Sequence, residues 1–286
     1  MSVSARLSLF LALALTAYPL RALGQTIVTM NWGVGAQTIS GDSDVSTAGT
    51  LVQATNLGDF SGWEQWVGSD FSTTLNGVTF VAVQVAPATK SMPVGAFTLA
   101  EDPHFLTSGG STIPNQMFAA PTQNLSEAYR KLLVGHATTH LGEGEPNPGD
   151  GIDDSNVLVT LTMPNLTIGH SYQFQWWTAL PEAAFNYVTL ASGGLQLSSN
   201  TTGQLGGFGQ FAIGTFTATD STMFIEFWGL EYEPKINAFQ MRDVTAVPEP
   251  STYALIVGLA ALGWYRVRRR RGVGLKRTGS GNMSGS

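Results

Sequence analysis

The chain has 286 residues, of which 43% are hydrophobic and only 12% charged, so one sizeable core is within reach without a large charged surface. It has no cysteine, which excludes disulfides, thiolate metal sites, a lipoprotein anchor and a Cys nucleophile. The formal net charge of −6 conceals a stronger bias. Between Gln25 and Val247 the five cations Lys90, Arg130, Lys131, Lys235 and Arg242 face nineteen carboxylates, a formal −14, which repels nucleic acid and anionic lipid.

Residues 1–24 carry Arg6, an apolar run from Leu7 to Ala17, and Ala22 and Gly24 in a small-x-small arrangement before Gln25. This is the pattern of a signal peptide cut by signal peptidase, and it predicts export. Strand signals then dominate. β-Branched and aromatic runs at 26–32, 51–55, 78–85, 157–163, 172–178, 187–190, 209–217, 223–228 and 236–241 are separated by Gly, Asn, Asp, Ser and Pro. One short helix is expected at 126–133, capped by Ser126 and ended by Gly135. Many strands without alternating helices predict an all-β fold, a single antiparallel β-sandwich of jelly-roll type spanning 25–246.

Within this domain the aromatics are the most suggestive group. A period of two turns Tyr172, Phe174 and Trp176 inward and leaves Gln173, Gln175 and Trp177 outside. It likewise turns Met223, Ile225 and Phe227 inward and leaves Phe224, Glu226 and Trp228 outside. A sheet face carrying Trp177, Trp228, Gln173, Gln175 and Glu226 would suit a sugar, whose ring stacks on aromatics while amides and carboxylates take its hydroxyls. Trp63 and Trp66 could add a loop platform. The competing reading is that other chain covers this face and makes the tryptophans core.

Two other groups bear on metals. The loop 143–154 gathers Glu143, Glu145, Asp150, Asp153 and Asp154, oxygen ligands of the kind Ca²⁺ takes, although its spacing is not that of an EF-hand. Acidic loops are more often simply solvated, and no other cofactor is expected. His136 and His140 stand four apart, but Gly135 precedes them and no Glu follows the first, so they are expected in a loop and not at zinc. His104 and His170 sit in turn-like sequence. No Gly-x-Ser-x-Gly elbow, phosphate loop or paired-carboxylate motif is present, and no enzymatic activity is expected. A glycan hydrolase or lyase with distant carboxylates remains an alternative.

The end of the chain is the most specific part. Val247-Pro248-Glu249-Pro250 is held extended by its prolines. An uncharged run follows from Tyr253 to Tyr265. Counted from Ser251 to Val267 it meets the lower limit, about 17 residues, for a transmembrane helix. Arg266, Arg268, Arg269, Arg270 and Arg271 come next and predict a cytoplasmic C-terminus. Residues 272–286 are Gly/Ser-rich and expected to be disordered.

The Pro-Glu-Pro, apolar run and arginine block over 247–271 resemble the PEP-CTERM sorting signal of bacterial exported proteins. The resemblance implies an envelope with an outer membrane and an exosortase-type membrane transpeptidase as partner, acting near the Pro-Glu-Pro. The inner membrane would hold the chain only transiently, before release to the cell envelope, surface or medium. The stretches 54–58, 74–80, 207–216 and 236–242 also resemble a recurrent β-sandwich of such proteins, which implies no established activity. The expectation is an exported, non-enzymatic envelope or matrix protein associated with extracellular polysaccharide, the alternative a carbohydrate-binding module.

Overall fold

The computed structural model describes residues 26–57, 72–83, 89–102, 105–110, 119–140, 158–181, 186–230, 233–245, 259–266 and 268. The chain divides into two compact units, Met1–Thr245 and Ala246–Ser286.

The described strands of the first unit, in chain order, are β1 (Thr26–Ile27), β2 (Gln37–Thr38), β3 (Thr50–Asn56), β4 (Thr73–Leu75), β5 (Val78–Ala82), β6 (Ser91–Val94), β7 (Phe97–Asp102), β8 (Phe105–Gly110), β9 (Gly135–His140), β10 (Leu158–Met163), β11 (Ser171–Thr178), β12 (Val188–Ala191), β13 (Leu195–Ser198), β14 (Gln210–Thr217), β15 (Met223–Gly229) and β16 (Ala238–Asp243). Among the described residues of this unit one α-helix, α1 (Glu127–Leu133), joins them, with 3-10 turns at Asp42–Asp44 and Thr122–Asn124. Sheet I has the order β13-β12-β15-β10-β7-β6, with β1 beside β15; sheet II has the order β2-β14-β11-β16-β3-β5-β4; β8 and β9 form a separate ribbon. From β10 to β16 the chain changes sheet at every step except the β12–β13 hairpin.

The fold is all-β, as expected, but not wholly antiparallel: β1 runs parallel to β15, and β3 parallel to β5. The run at 26–32 is not one strand. Thr26 and Ile27 pair with sheet I, then Asn31 bridges to Thr215 of sheet II, so Val28, Met30 and Trp32 are buried between them. Edges are kept short or broken: β2 and β4 are brief, and β6 carries Pro93, which cannot donate to a further strand.

The two sheets meet through the inward residues that alternation picks out. Phe239 of sheet II stacks on Phe97 of sheet I at 5.9 Å between centroids, and Trp176 meets Phe227 edge-on at 4.9 Å. Val159, Leu161 and Met163 of β10, Phe174 of β11, and Ile225 of β15 complete this core. Nonpolar burial on this scale, at roughly 25 cal/mol per Å², is what replaces the missing disulfides.

A second core lies on the far side of sheet II. There α1 and the β4–β5 hairpin pack Tyr129, Leu132, Leu133, Leu75, Val78 and Phe80 over Trp177, Phe211 and Ala238. The hairpin turns at Asn76-Gly77, both at positive φ as a two-residue loop between twisted strands requires. Ser126 caps α1 as expected, accepting from Tyr129 N–H at 3.0 Å. Gly135 does not end the helix but opens β9. The last helical carbonyls are met from sheet II: Asn56 donates to Lys131 O at 3.0 Å, and Asn237 to Leu133 O at 3.0 Å and Gly135 O at 2.7 Å. Two fully buried asparagines thus anchor the helix to the sheet.

Candidate functional sites

The outward row of sheet II is where a sugar face was expected. Gln173 and Gln175 of β11 do point away from the inter-sheet core, as do Gln240 and Arg242 of β16, which pair with them across the ladder. Instead of meeting solvent they hold the chain's own segment 44–49. Gln175 donates to Asp44 O at 2.7 Å and accepts from Ser46 N–H at 3.0 Å. Gln240 donates to Ser46 O at 3.0 Å and to the Gln175 side-chain oxygen at 2.6 Å, while Ser46 Oγ donates to Gln173. The Arg242 guanidinium donates to Ala48 O at 2.6 Å, Gly49 O at 3.0 Å and Thr47 O at 3.2 Å. Gly49 sits at φ +69°, and a Cβ there would lie 2.2 Å from Asp243 O, so the strap can approach the sheet only at a glycine. These amides already have the partners that sugar hydroxyls would have supplied.

Trp177 is fully buried. Its indole donates to Tyr129 Oη at 2.8 Å, Phe80 meets it edge-on at 5.5 Å, and Phe211 stacks at 6.3 Å. Tyr129 in turn donates to Asp44 Oδ2 at 3.0 Å, joining helix, strap and sheet in one chain of bonds. Burial, reinforced by the Asp44 carboxylate, raises the Tyr129 phenol well above its ordinary pKa.

Trp228 and Glu226 belong to β15 of sheet I, so they lie on the opposite side of the sandwich from Trp177, Gln173 and Gln175. The five residues therefore do not form one face. Gln173, Gln175 and Trp177 do face away from the inter-sheet core, but alternation could not say that β11 and β15 belong to different sheets. Glu226 is buried, whereas Trp228 is half-buried beside its cross-strand neighbours Leu158 and Leu190. Trp63 and Trp66 lie outside the described residues, as do His104 and the acidic set Glu143, Glu145, Asp150, Asp153 and Asp154. Among the described residues, no group of three or more His, Asp or Glu stands close enough to hold a metal ion.

His136 and His140 fall in β9, not in a loop. His136 is buried, and burial together with the nearby Lys235 ammonium pushes its pKa well below the ordinary value. Lys235 donates to Thr138 Oγ1 at 2.9 Å, lies 3.6 Å from Glu233 and sits 4.7 Å over the Tyr187 ring.

At the end of β16, His170 Nδ1 pairs with Asp243 Oδ2 at 2.7 Å, while Thr245 N–H donates to Asp243 Oδ1 at 2.9 Å. Partial burial pushes the Asp243 carboxyl up, but these hydrogen bonds together outweigh it and hold its pKa below the ordinary value. Val244 N–H donates to Ser171 O at 2.9 Å, and Ser171 N–H to Thr245 Oγ1 at 2.9 Å. The body is therefore hydrogen-bonded through to Thr245.

In the second unit, 259–266 is helical and exposes Leu259, Leu262, Trp264 and Tyr265. Among the described residues no helix is long and apolar enough to cross a membrane. Much of the expected span, 251–258 with Val267, lies outside them, as do Val247, Pro248, Glu249 and Pro250, residues 269–286 and the leader 1–24.

The strap partners Asp44, Ser46, Gln240 and Arg242 were not anticipated. Their available signal was the polar outward row Gln240, Arg242 in a β-branched and aromatic strand, in step with Gln173 and Gln175. The stretches 54–58, 74–80, 207–216 and 236–242 that resemble exported sandwiches map, over their described residues, to sheet II or to residues flanking its strands. No curated protein and no solved structure matches the chain. The PEP-CTERM protein-sorting motif matches residues 246–271, which begin directly after Thr245, the end of the first unit. The chain thus carries a PEP-CTERM protein-sorting motif over residues 246–271, the mark of an exported protein sorted by an exosortase.

Proposed function

We propose that this is a non-enzymatic protein of the cell envelope or extracellular matrix, released by cleavage near Pro248–Pro250 and associated with extracellular polysaccharide. The observation that carries the reading is the sorting motif joined to a self-contained β body that ends at Thr245. Internal use of Gln173, Gln175, Gln240 and Arg242 supports a structural role for sheet II. The C-terminal helix anchors the precursor in the inner membrane until cleavage, and the released body carries the formal −14 that keeps it from anionic surfaces.

Fractionation of an exporting cell tests this. The mature body should travel with extracellular polysaccharide and be freed when that polysaccharide is degraded. Recovery as free protein in the medium, with no retention on the polymer, would overturn the association. Among the described residues the carbohydrate-binding alternative rests on Trp228, the half-buried tryptophan of the set. Trp228→Ala should weaken retention if sheet I carries a sugar site, and leave it unchanged if it does not.

A further inference from the structure

We propose that the clasp at the end of β16 sets the position and the rate of processing at the sorting motif. This rests on the sorting reading above and deepens it. A processing enzyme must draw an extended segment into its cleft, with residues on both sides of the bond it cuts. Only Ala246 separates the clasped Thr245 from Val247, so on the N-terminal side of a cut near Pro248–Pro250 the residues next beyond Val247 and Ala246 are Thr245 and Val244. Those residues already have partners. Val244 N–H is bonded to Ser171 O, and Thr245 N–H to Asp243. The Thr245 hydroxyl is bonded to both the amide and, at 3.4 Å, the carbonyl of Ser171. His170 fixes Asp243 from the side, and the backbone of Gly49 packs against the Asp243 carbonyl.

An enzyme therefore has two routes. It can bind a site confined to Ala246 and the residues after it, or wait for the clasp to open. Opening removes hydrogen bonds at the last turn of one strand and leaves the inter-sheet core untouched, so it is the low-cost local event in this part of the body. His170 and Ser171 act here as positioning residues, through the chain they hold. Neither lies in the sorting motif.

Pulse-chase of the full chain in an exosortase-bearing cell, with mass spectrometry of the mature C-terminus, tests the proposal. The wild-type body should end at or beyond Ala246. His170→Ala should speed processing about fivefold, the change in open population expected from one lost hydrogen bond. A flexible Gly-Ser insertion between Thr245 and Ala246 should speed it at least as much. His170→Ala should then add nothing in the insertion background, whereas an effect through general instability would persist there. An unchanged rate with the insertion, while Pro248→Ala with Pro250→Ala blocks processing, would overturn the clasp and leave the sorting reading intact. Normal processing of the double proline variant would overturn both.

Discussion

The two faces of β11 belong to the same eight residues and are buried in different ways. On the inner face Phe174 and Trp176 pack on apolar partners from sheet I and their own sheet, and Tyr172 stacks on Phe216 while its hydroxyl accepts from Thr167 N–H at 2.9 Å. On the outer face Gln173 and Gln175 hold a polar strap, and Trp177 sits beneath a helix and a hairpin. The inner face is closed by apolar packing, the outer by apolar packing around Trp177 and by satisfied hydrogen bonds around Gln173 and Gln175. An outward-pointing tryptophan beside two glutamines is therefore no sign of a binding platform when the chain has its own segment to lay over them.

The largest test of this contrast is a pair of truncations. Phe174→Ala and Trp177→Ala should each cost about 3–5 kcal/mol in urea unfolding, since both remove a large buried ring. A cost under about 1 kcal/mol for Trp177→Ala would mean the outer face is open and the cap does not close it. Gln175→Leu should cost about 2 kcal/mol, because it strips partners from Ser46 N–H, Asp44 O and Gln240 while leaving volume in place. The same change at an exposed amide would be near neutral.

The next effect is pH-dependent. His136 is held neutral in the folded body while the unfolded chain takes up a proton near the ordinary histidine value of about 6.5. Its contribution is therefore fully present above that pH and is lost as pH falls below it, by up to about 1.4 kcal/mol per pH unit until the folded pKa is reached. Melting temperatures between pH 7 and pH 5 should show this fall, and His136→Phe should flatten it. The smallest effect is at the helix start, where Ser126→Ala should cost about 1 kcal/mol by removing the cap on Tyr129 N–H.

Much of this was legible in the chain. Each of the nine strand signals contains or overlaps a strand, because period-two alternation reports burial on one side directly. The strands passed over had weaker patterns. β4 and β5 meet at Asn76-Gly77, a hairpin signature that could have supplied β4. β6 contains Pro93, and β9 contains two histidines in place of an apolar run. Of the sugar set, Gln173, Gln175 and Trp177 do lie on the outer side of β11, but their grouping with Glu226 and Trp228 fails, because β15 belongs to the other sheet. Sheet membership depends on pairings between β11 and β14 or β15 and β10, far apart in sequence.

By itself the sequence determined export and the all-β class of the fold. A sorting motif is read as a linear segment, and alternation is a local consequence of strand geometry, so neither needs a partner far along the chain. Only the tertiary structure decided that β11 and β15 lie in opposite sheets, that residues 44–49 cover the outer face of sheet II, and that the clasp of Ser171 with Thr245 reaches the edge of the sorting motif. Those depend on long-range hydrogen bonds and on which loop happens to supply the missing partners. No local pattern encodes them.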